Sequence, residues 1–217
     1  MYKLNNFLII GITGGVGSAF CDLCANNIDA NIVGTYCHDI EKAKQIQENS
    51  PKIKLYKIDL GQKNHLKLDF LECECLAFFA GSPYFSDTLF SANGEDLITQ
   101  INLHTTAFLA MVFDLVKRNS NLKKIIVLGS YYPEKINSIY HLSKQLTERA
   151  IELIIPSLEE KEISLSMVYS GWINTKMYNQ YRKTHPCSIQ TARNPLEIAE
   201  ICYKEINNNK PLNIIRL

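Results

Sequence analysis

The chain has 217 residues, of which 46% are hydrophobic and 21% are charged, and its formal net charge is +1. This composition is typical of a folded protein, and no linker divides the chain, so we expect a single domain over residues 1–217. The balanced charge argues against a protein that binds nucleic acid or a membrane surface through bulk electrostatics. No apolar run approaches the ~20 residues of a membrane span. We therefore expect a cytoplasmic protein.

The seven cysteines are an odd number and fall within predicted helices and strands, which favours reduced thiols over a disulfide framework. Cys21 and Cys24 have C-x-x-C spacing, and Cys73 and Cys75 are conceivable partners. A C-x-C pair has poor geometry for zinc, however, and the first pair falls in a helix, so we predict no metal site.

Short apolar runs alternate with longer helical stretches along the chain. Strands are predicted at residues 7–12, 31–36, 52–58, 75–79, 123–128, 163–169 and 212–216. Helices are predicted at residues 16–27, 39–49, 94–118, 136–155 and 195–207, the fourth of them ending before Pro156. Alternation implies crossover connections, and continuously apolar strands imply a sheet covered on both faces. The pattern predicts a doubly wound α/β fold with a parallel sheet of about seven strands.

A glycine-rich turn joins the first strand to the first helix with the spacing G-x-x-G-x-x-G from Gly11 to Gly17. In a Rossmann unit, glycines here let the backbone approach a pyrophosphate, which binds at the amino terminus of the helix. The predicted cofactor contacts in this turn are Gly11, Thr13, Gly14, Gly15, Val16 and Gly17.

The end of the second strand normally selects between the two nicotinamide dinucleotides. An acid at this point accepts a hydrogen bond from the ribose 2′-OH of NAD(H), whereas its absence admits the 2′-phosphate of NADP(H). The chain has Tyr36 and His38 here, which we predict to contact the cofactor, and no acid before Asp39. We therefore favour NADP(H) over NAD(H).

Tyr140 and Lys144 are four residues apart in a predicted helix, so their side chains share one face. A nearby ammonium favours the phenolate and is expected to lower the pKa of Tyr140 towards the range useful for proton transfer. Ser130 directly follows the fifth strand, at the sheet edge where open α/β proteins bind their ligands. The three residues together predict an acid–base site.

Seven motifs occur in order: GITGGVG at residues 11–17, Asp59-Leu60, Ala80-Gly81, Asn102, Gly129-Ser130, Tyr140-x-x-Ser143-Lys144, and Ser170 to Thr175. Together they resemble the short-chain dehydrogenase/reductase family over nearly the whole chain. The resemblance implies a seven-stranded Rossmann sheet, a nicotinamide cofactor and an NADP(H)-dependent carbonyl reductase or alcohol dehydrogenase.

The resemblance also implies a role for each matching residue. Tyr140 would be the general acid/base, Lys144 would bind the nicotinamide ribose, Ser130 would orient the substrate carbonyl, and Asn102 would hold a water in a proton relay. Further cofactor contacts would come from Asp59, Leu60, Ala80, Gly81, Gly171, Ile173 and Thr175.

The chain departs from the family pattern at several points. Phe20 stands where glycine is expected, which predicts that the first helix packs farther from the strand. Phe79 replaces an asparagine and Ser170 replaces a proline. Ser130 and Tyr140 are ten residues apart, which makes the loop at 131–137 short.

A short substrate lid is expected at about residues 176–194. It carries Lys176, Arg182, Lys183, His185 and Arg193, so an anionic carbonyl substrate is one expectation and a solvated loop is the other.

Two other functions remain as alternatives: a non-catalytic NAD(P)-binding redox sensor, and an enzyme like the sugar-nucleotide epimerases. The small number of residues after Thr175 argues against the epimerase. The apolar residues around the helix at 94–118, with the family's habit of pairing its long helices, predict a homodimer or homotetramer.

Overall fold

The computed structural model describes residues 4–62, 72–82, 89–118, 121–130, 138–184 and 191–217. Its strands are β1 Asn6–Ile10, β2 Asn31–Tyr36, β3 Lys54–Lys57, β4 Cys75–Phe78, β5 Lys124–Gly129, β6 Ser164–Tyr169 and β7 Leu212–Arg216. Its α-helices are α1 Gly15–Asn27, α2 Ile40–Asn49, α3 Gly94–Ile101, α4 Ala107–Lys117, α5 Ile139–Glu159, α6 Lys176–Thr184 and α7 Pro195–Glu205. A short 3-10 turn, Leu89–Ser91, precedes α3.

The seven strands form one parallel sheet in the order β3-β2-β1-β4-β5-β6-β7. The strand order reverses between β1 and β4, which is the point where open α/β sheets bind ligands outside the carboxyl ends of the strands. Alternate residues of β1 enter different cores: Leu8 packs with residues of α4 and α5, and Ile9 packs with residues of α1 and α7. Both faces are therefore covered, and the predicted doubly wound α/β class is confirmed.

The helix predicted at 94–118 is present but changes its winding. Asn102–Thr106 forms a π-helical turn between α3 and α4. An insertion of this kind rotates the side chains that follow, and such turns occur frequently at functional sites.

α5 continues through Pro156 to Glu159, so the prediction that the helix ends before this proline is wrong. Proline at this place removes only one backbone N–H near the end of the helix. Leu158 in the last turn is buried in the core, which stabilises the extension. The helix begins later than predicted, with the Ser138 hydroxyl accepting from the His141 N–H.

The prediction that Phe20 moves α1 away from the sheet is also wrong. Gly17 lies so close to the end of β1 that a Cβ on it would stand 2.2 Å from the Gly11 carbonyl oxygen. Phe20 is fully buried one turn later, with edge-on contacts to Phe7 and Phe79 at centroid distances of 6.5 and 5.2 Å. The phenylalanine at position 79 thus supplies core packing beneath α1.

The described cysteines are free, and five of the six are buried. Cys21, Cys24, Cys75 and Cys202 belong to the core between the sheet and the helices α1 and α7. Burial raises the pKa of Cys21 to about 12, which makes it an unreactive thiol. Within the described residues, no group of three or more possible ligands stands ready for a metal ion. Nor do the described helices include one with the length and apolarity to cross a membrane.

Candidate functional site

Three glycines shape the turn between β1 and α1. Gly11 has a φ of +82°, and a Cβ on it would lie 2.9 Å from the Ala80 backbone. A Cβ on Gly15 would lie 2.7 Å from Cγ2 of Thr175, and Gly17 abuts Gly11. Gly14 is less restricted, since its Cβ would stand 3.1 Å from the Gly11 oxygen. The steric requirement therefore follows the spacing G-x-x-x-G-x-G rather than the G-x-x-G-x-x-G noted in the sequence.

The amino terminus of α1 offers a site for an anion. Gly14 is the exposed N-cap residue and has no side chain to bond the first N–H groups of the helix. These N–H groups point out of the helix at the positive end of its dipole. Thr13, Gly14 and Gly15 thus border a site where a phosphate group would find backbone donors, and the two glycines present no Cβ to it.

The end of β2 carries no carboxylate before Asp39. Tyr36 is half-buried and His38 is exposed. The Asp39 carboxylate caps α2 by accepting from the Lys42 N–H at 3.2 Å, and its other oxygen lies 2.5 Å from Nζ of Lys176. The hydrogen bond from Lys176 is the largest cause that lowers the pKa of Asp39, so the acid is charged and paired.

Tyr140 lies in the first turn of α5 and its phenol is hydrogen-bonded to the Ser130 side chain at the end of β5. Burial raises the pKa of Tyr140 to about 12, against the opposing effect of the Ser130 bond. The phenol is therefore held protonated at neutral pH. The structure thus contradicts the expected lowering of this pKa, because burial outweighs any effect of the neighbouring lysine.

Lys144 lies one turn further along α5, with 8% of its surface exposed. Its Nζ donates to the Leu128 carbonyl at 3.3 Å and lies 6.0 Å from the centroid of the Tyr140 ring. Burial lowers the pKa of Lys144 to about 8. The ammonium therefore remains available near neutral pH, at the same sheet edge as the phenol.

Asn102 is the first residue of the π-turn, and its side chain is bonded to the turn that follows β3. Its Nδ2 donates to the Gly61 carbonyl at 3.3 Å, and the Asp59 carboxylate accepts from the Gly61 N–H at 3.0 Å. The side chain therefore fastens the π-turn to the Asp59–Gly61 turn after β3, in which Leu60 is buried. The relay role of Asn102 stays a prediction.

Residues at the beginning of α6, and Thr175 just before it, lie close to the glycines at this edge of the sheet. Thr175 lies over Gly15, and a Cβ on Gly81 would be 3.8 Å from Cε of Met177 and 3.6 Å from Nε2 of His104. A β-bridge joins Ile173 to Arg193, and Gly171 turns the chain with a φ of +63°. The predicted residues Gly15 and Thr175 are thus adjacent, whereas Gly81, after β4, lies beside Met177 and His104.

The cations of the lid are partly neutralised. Arg193 lies 2.6 Å from the Glu197 carboxylate, and Lys176 is paired with Asp39. The Arg182 guanidinium lies 5.7 Å from the centroid of the Tyr178 ring. His185 is outside the described residues, as is the loop at 131–137.

His104 is a residue of this site that the sequence motifs do not mark; its side chain is 1% exposed in the π-turn. Its Nδ1 is 2.8 Å from Oγ of Ser143, and its ring meets the Tyr140 ring edge-on at 5.2 Å between centroids. The one sequence feature that could have indicated it is a histidine on an otherwise apolar face of the helix predicted at residues 94–118. The pairing of Lys176 with Asp39 was also missed, since no sequence pattern marks it.

No protein-family model matches the sequence, and no curated protein matches it. Solved structures do match. BdcA in complex with NADPH has a TM-score of 0.82 and 16% identity, covering 98% of this chain and 93% of BdcA. A short-chain dehydrogenase from Sphingobium yanoikuyae in complex with NADPH has a TM-score of 0.80 and 18% identity, with coverages of 97% and 87%.

L-Sorbose reductase from Gluconobacter frateurii, complexed with NADPH and L-sorbose, has a TM-score of 0.77 and 16% identity, with coverages of 98% and 95%. Over almost its whole length, the chain has the fold of the short-chain dehydrogenases/reductases.

Proposed function

We propose that the protein is an NADP(H)-dependent oxidoreductase, a carbonyl reductase or alcohol dehydrogenase that uses Tyr140 as its general acid/base. One observation carries the proposal. The hydrogen-bonded Ser130–Tyr140 pair and the buried Lys144 lie at the same sheet edge as the uncapped glycine turn. A phosphate-binding turn, a protonated phenol and an ammonium at one sheet edge are the groups needed to bind a dinucleotide and to couple hydride transfer to proton transfer.

The residues present fit a dinucleotide. Gly11, Gly15 and Gly17 leave no room for a Cβ, and the bare amino terminus of α1 supplies donors for a pyrophosphate. Asp39 is the first acid after β2. Its carboxylate accepts from the Lys42 N–H of α2 and pairs with Lys176, so it is not free to accept a hydrogen bond from the ribose 2′-OH of NAD(H). This supports NADP(H), and the NADPH bound to structural neighbours supports it further.

The proposed roles follow from the protonation states. A bound nicotinamide would supply the hydride for the carbonyl carbon, and Tyr140 would give its phenolic proton to the carbonyl oxygen. Ser130 holds that oxygen against the phenol, and the Lys144 ammonium stabilises the phenolate left behind. In the oxidative direction the same groups take the proton back.

The substrate we propose is a small carbonyl compound or the corresponding alcohol. Trp172, which precedes the lid, stacks on Tyr181 of the lid at 4.6 Å between centroids, and the two rings together form an aromatic surface. Because Lys176 and Arg193 are already paired with carboxylates, selection of an anionic substrate would fall to Arg182 and Lys183. The free thiols of the described cysteines support the cytoplasm as the place of action.

Thermal unfolding with NADPH and with NADH tests the cofactor. NADPH should raise the melting temperature more at equal concentration, because tighter binding to the folded state stabilises it more. Larger stabilisation by NADH would overturn the NADP(H) preference, and no shift with either cofactor would overturn the function.

NADPH oxidation with a panel of ketones and aldehydes, each with and without a phosphate group, then tests the reaction. Turnover that disappears in Tyr140→Phe supports the enzyme. Binding of NADPH without turnover of any carbonyl would favour the redox sensor.

A further inference from the structure

His104 is a buried titratable side chain that the proposed reaction does not use. It lies within the π-turn, facing α5 and the end of β4. Within the described residues, its Nε2 is buried without a hydrogen-bond partner. Leaving a buried polar atom unpaired is costly, so an atom like this is expected to have a partner in the working protein.

The hydrogen bonds around Ser143 fix the tautomer of His104. The single hydroxyl proton of Ser143 goes to the Tyr140 carbonyl, 2.8 Å away. Its oxygen must then accept from Nδ1–H of His104, also at 2.8 Å. His104 therefore carries its proton on Nδ1, and Nε2 is a lone-pair acceptor that needs a donor.

The titratable groups that face His104 belong to the proton-transfer site. Two titratable groups of the described chain face His104, both from α5: the Tyr140 ring and the Lys144 ammonium. On the β4 side, a Cβ on Gly81 would lie 3.6 Å from Nε2, and glycine brings no side-chain donor there. The phenol is already bonded to Ser130, whereas the ammonium has three protons and, among the residues that the structure describes, one hydrogen bond, to the Leu128 carbonyl.

We propose that His104 is a positioning residue of this site, and that its Nε2 accepts a hydrogen bond from the Lys144 ammonium through one bridging water. The role of Lys144 rests on the proposed function. The water has an acceptor in Nε2 and a donor in Nζ, two of the two to four polar partners that buried waters have. Burial and the nearby lysine hold the pKa of His104 well below its usual range, which keeps the ring neutral and able to accept.

The bridge stabilises the charged form of Lys144. Without the water bridge the ammonium has one hydrogen bond fewer, so the pKa of Lys144 should fall. We expect a fall of about one pH unit, which corresponds to one hydrogen bond to a charged group.

Two isosteric variants separate this role from packing. In His104→Asn the side-chain amide nitrogen replaces Nδ1 and keeps the donor to Ser143, but nothing replaces Nε2. In His104→Gln the amide oxygen reaches the place of Nε2 and keeps the acceptor, but the donor to Ser143 is lost. Lysine labelled at Cε reports the pKa of Lys144 by NMR titration, with Lys144→Met assigning the signal.

We expect the Lys144 pKa to fall in His104→Asn and to stay near that of the parent in His104→Gln. A pKa unchanged in both variants, or lowered equally in both, would overturn the proposal even if both variants lose thermal stability. The titration uses the protein without cofactor. Absence of NADPH turnover in the parent would therefore contradict the proposed function and leave the readout on His104 intact.

Discussion

Burial shifts the pKa values of Tyr140 and Lys144 in opposite directions, because it penalises the anionic form of a phenol and the cationic form of an amine. The pKa of Tyr140 rises to about 12 and that of Lys144 falls to about 8. At neutral pH the site therefore contains a protonated acid and a protonated amine. This state is suited to giving a proton to a carbonyl oxygen.

The pH dependence of NADPH binding reports on Lys144. The lysine is charged below its pKa of about 8 and neutral above it, so affinity should be highest below this pH and decline as the pH rises through it. Loss of one charge-assisted hydrogen bond weakens binding on the order of tenfold. Fluorescence titration of NADPH between about pH 7 and 9 measures the effect. Lys144→Met should bind weakly and show no such decline; a parent-like decline in this variant would contradict the assignment.

Tyr140→Phe keeps the ring against His104 and removes only the hydroxyl. Turnover should fall by about 10²–10⁴-fold, the usual contribution of a positioned acid–base group, while NADPH affinity stays near the parent value. Ser130→Ala should show the same pattern, whereas Lys144→Ala should lose both activity and affinity. Steady-state kinetics with one accepted carbonyl substrate measures the turnover of the parent and of each variant. Near-parent turnover in Tyr140→Phe would exclude this residue as the proton donor.

The sequence was sufficient to predict those site residues that are close to one another in the chain or directly follow a strand. Tyr140 and Lys144 share a helix face because they are four residues apart, and Ser130 and the glycines follow strands. His104 and Ser143 are 39 residues apart, and Asp39 and Lys176 are 137 residues apart. Contacts of this kind depend on packing between elements, which no local pattern encodes.

At the scale of the elements, periodicity predicted where the helices lie but not how they wind. The apolar spacing of residues 94–118 is satisfied by α3 and α4, yet the π-turn between them is fixed by contacts with α5. Thr105 donates to the Ser143 carbonyl at 3.0 Å, beside the His104 bond to the same residue. α5 likewise passes Pro156 because burial of Leu158 outweighs a local preference.

The contact between β1 and α1 gives a prediction for Gly17. In Gly17→Ala the new Cβ would lie 2.2 Å from the Gly11 oxygen, so the helix must shift. We expect a loss of about 1–3 kcal/mol in the free energy of unfolding, as for other overpacked sites, together with loss of NADPH binding.

Gly94→Ala is the matched control for Gly17→Ala. Gly94 is exposed in the first turn of α3, and a Cβ there meets nothing within 4 Å. This variant should be as stable as the parent or more stable by about 0.4–1 kcal/mol. Urea unfolding measures the free energy of unfolding of Gly17→Ala and Gly94→Ala. Equal values for the two variants would contradict the close approach of α1 to β1.

At the scale of the whole molecule, the sheet accounts for most of the apolar surface but not for all of it. The sequence showed that residues 108–115 are apolar around most of the helix, which one sheet-facing stripe cannot explain. In the structure Phe108, Met111, Val112 and Leu115 are buried, whereas Phe113 is 58% exposed. On α5, Leu153 is 65% exposed. These two helices therefore present apolar side chains away from the sheet.

We expect these outward faces of α4 and α5 to pair with a second copy of the chain, giving a homodimer or homotetramer. Phe113→Glu would place a charge in the paired surface and should shift the protein towards the monomer at micromolar concentration, because burying an unpaired carboxylate is costly. Ile40→Glu is the matched control, since Ile40 is 42% exposed at the start of α2 and outside these helices. Light scattering coupled to gel filtration gives the masses. A monomeric parent, or equal masses for the parent and Phe113→Glu, would contradict the pairing of α4 and α5.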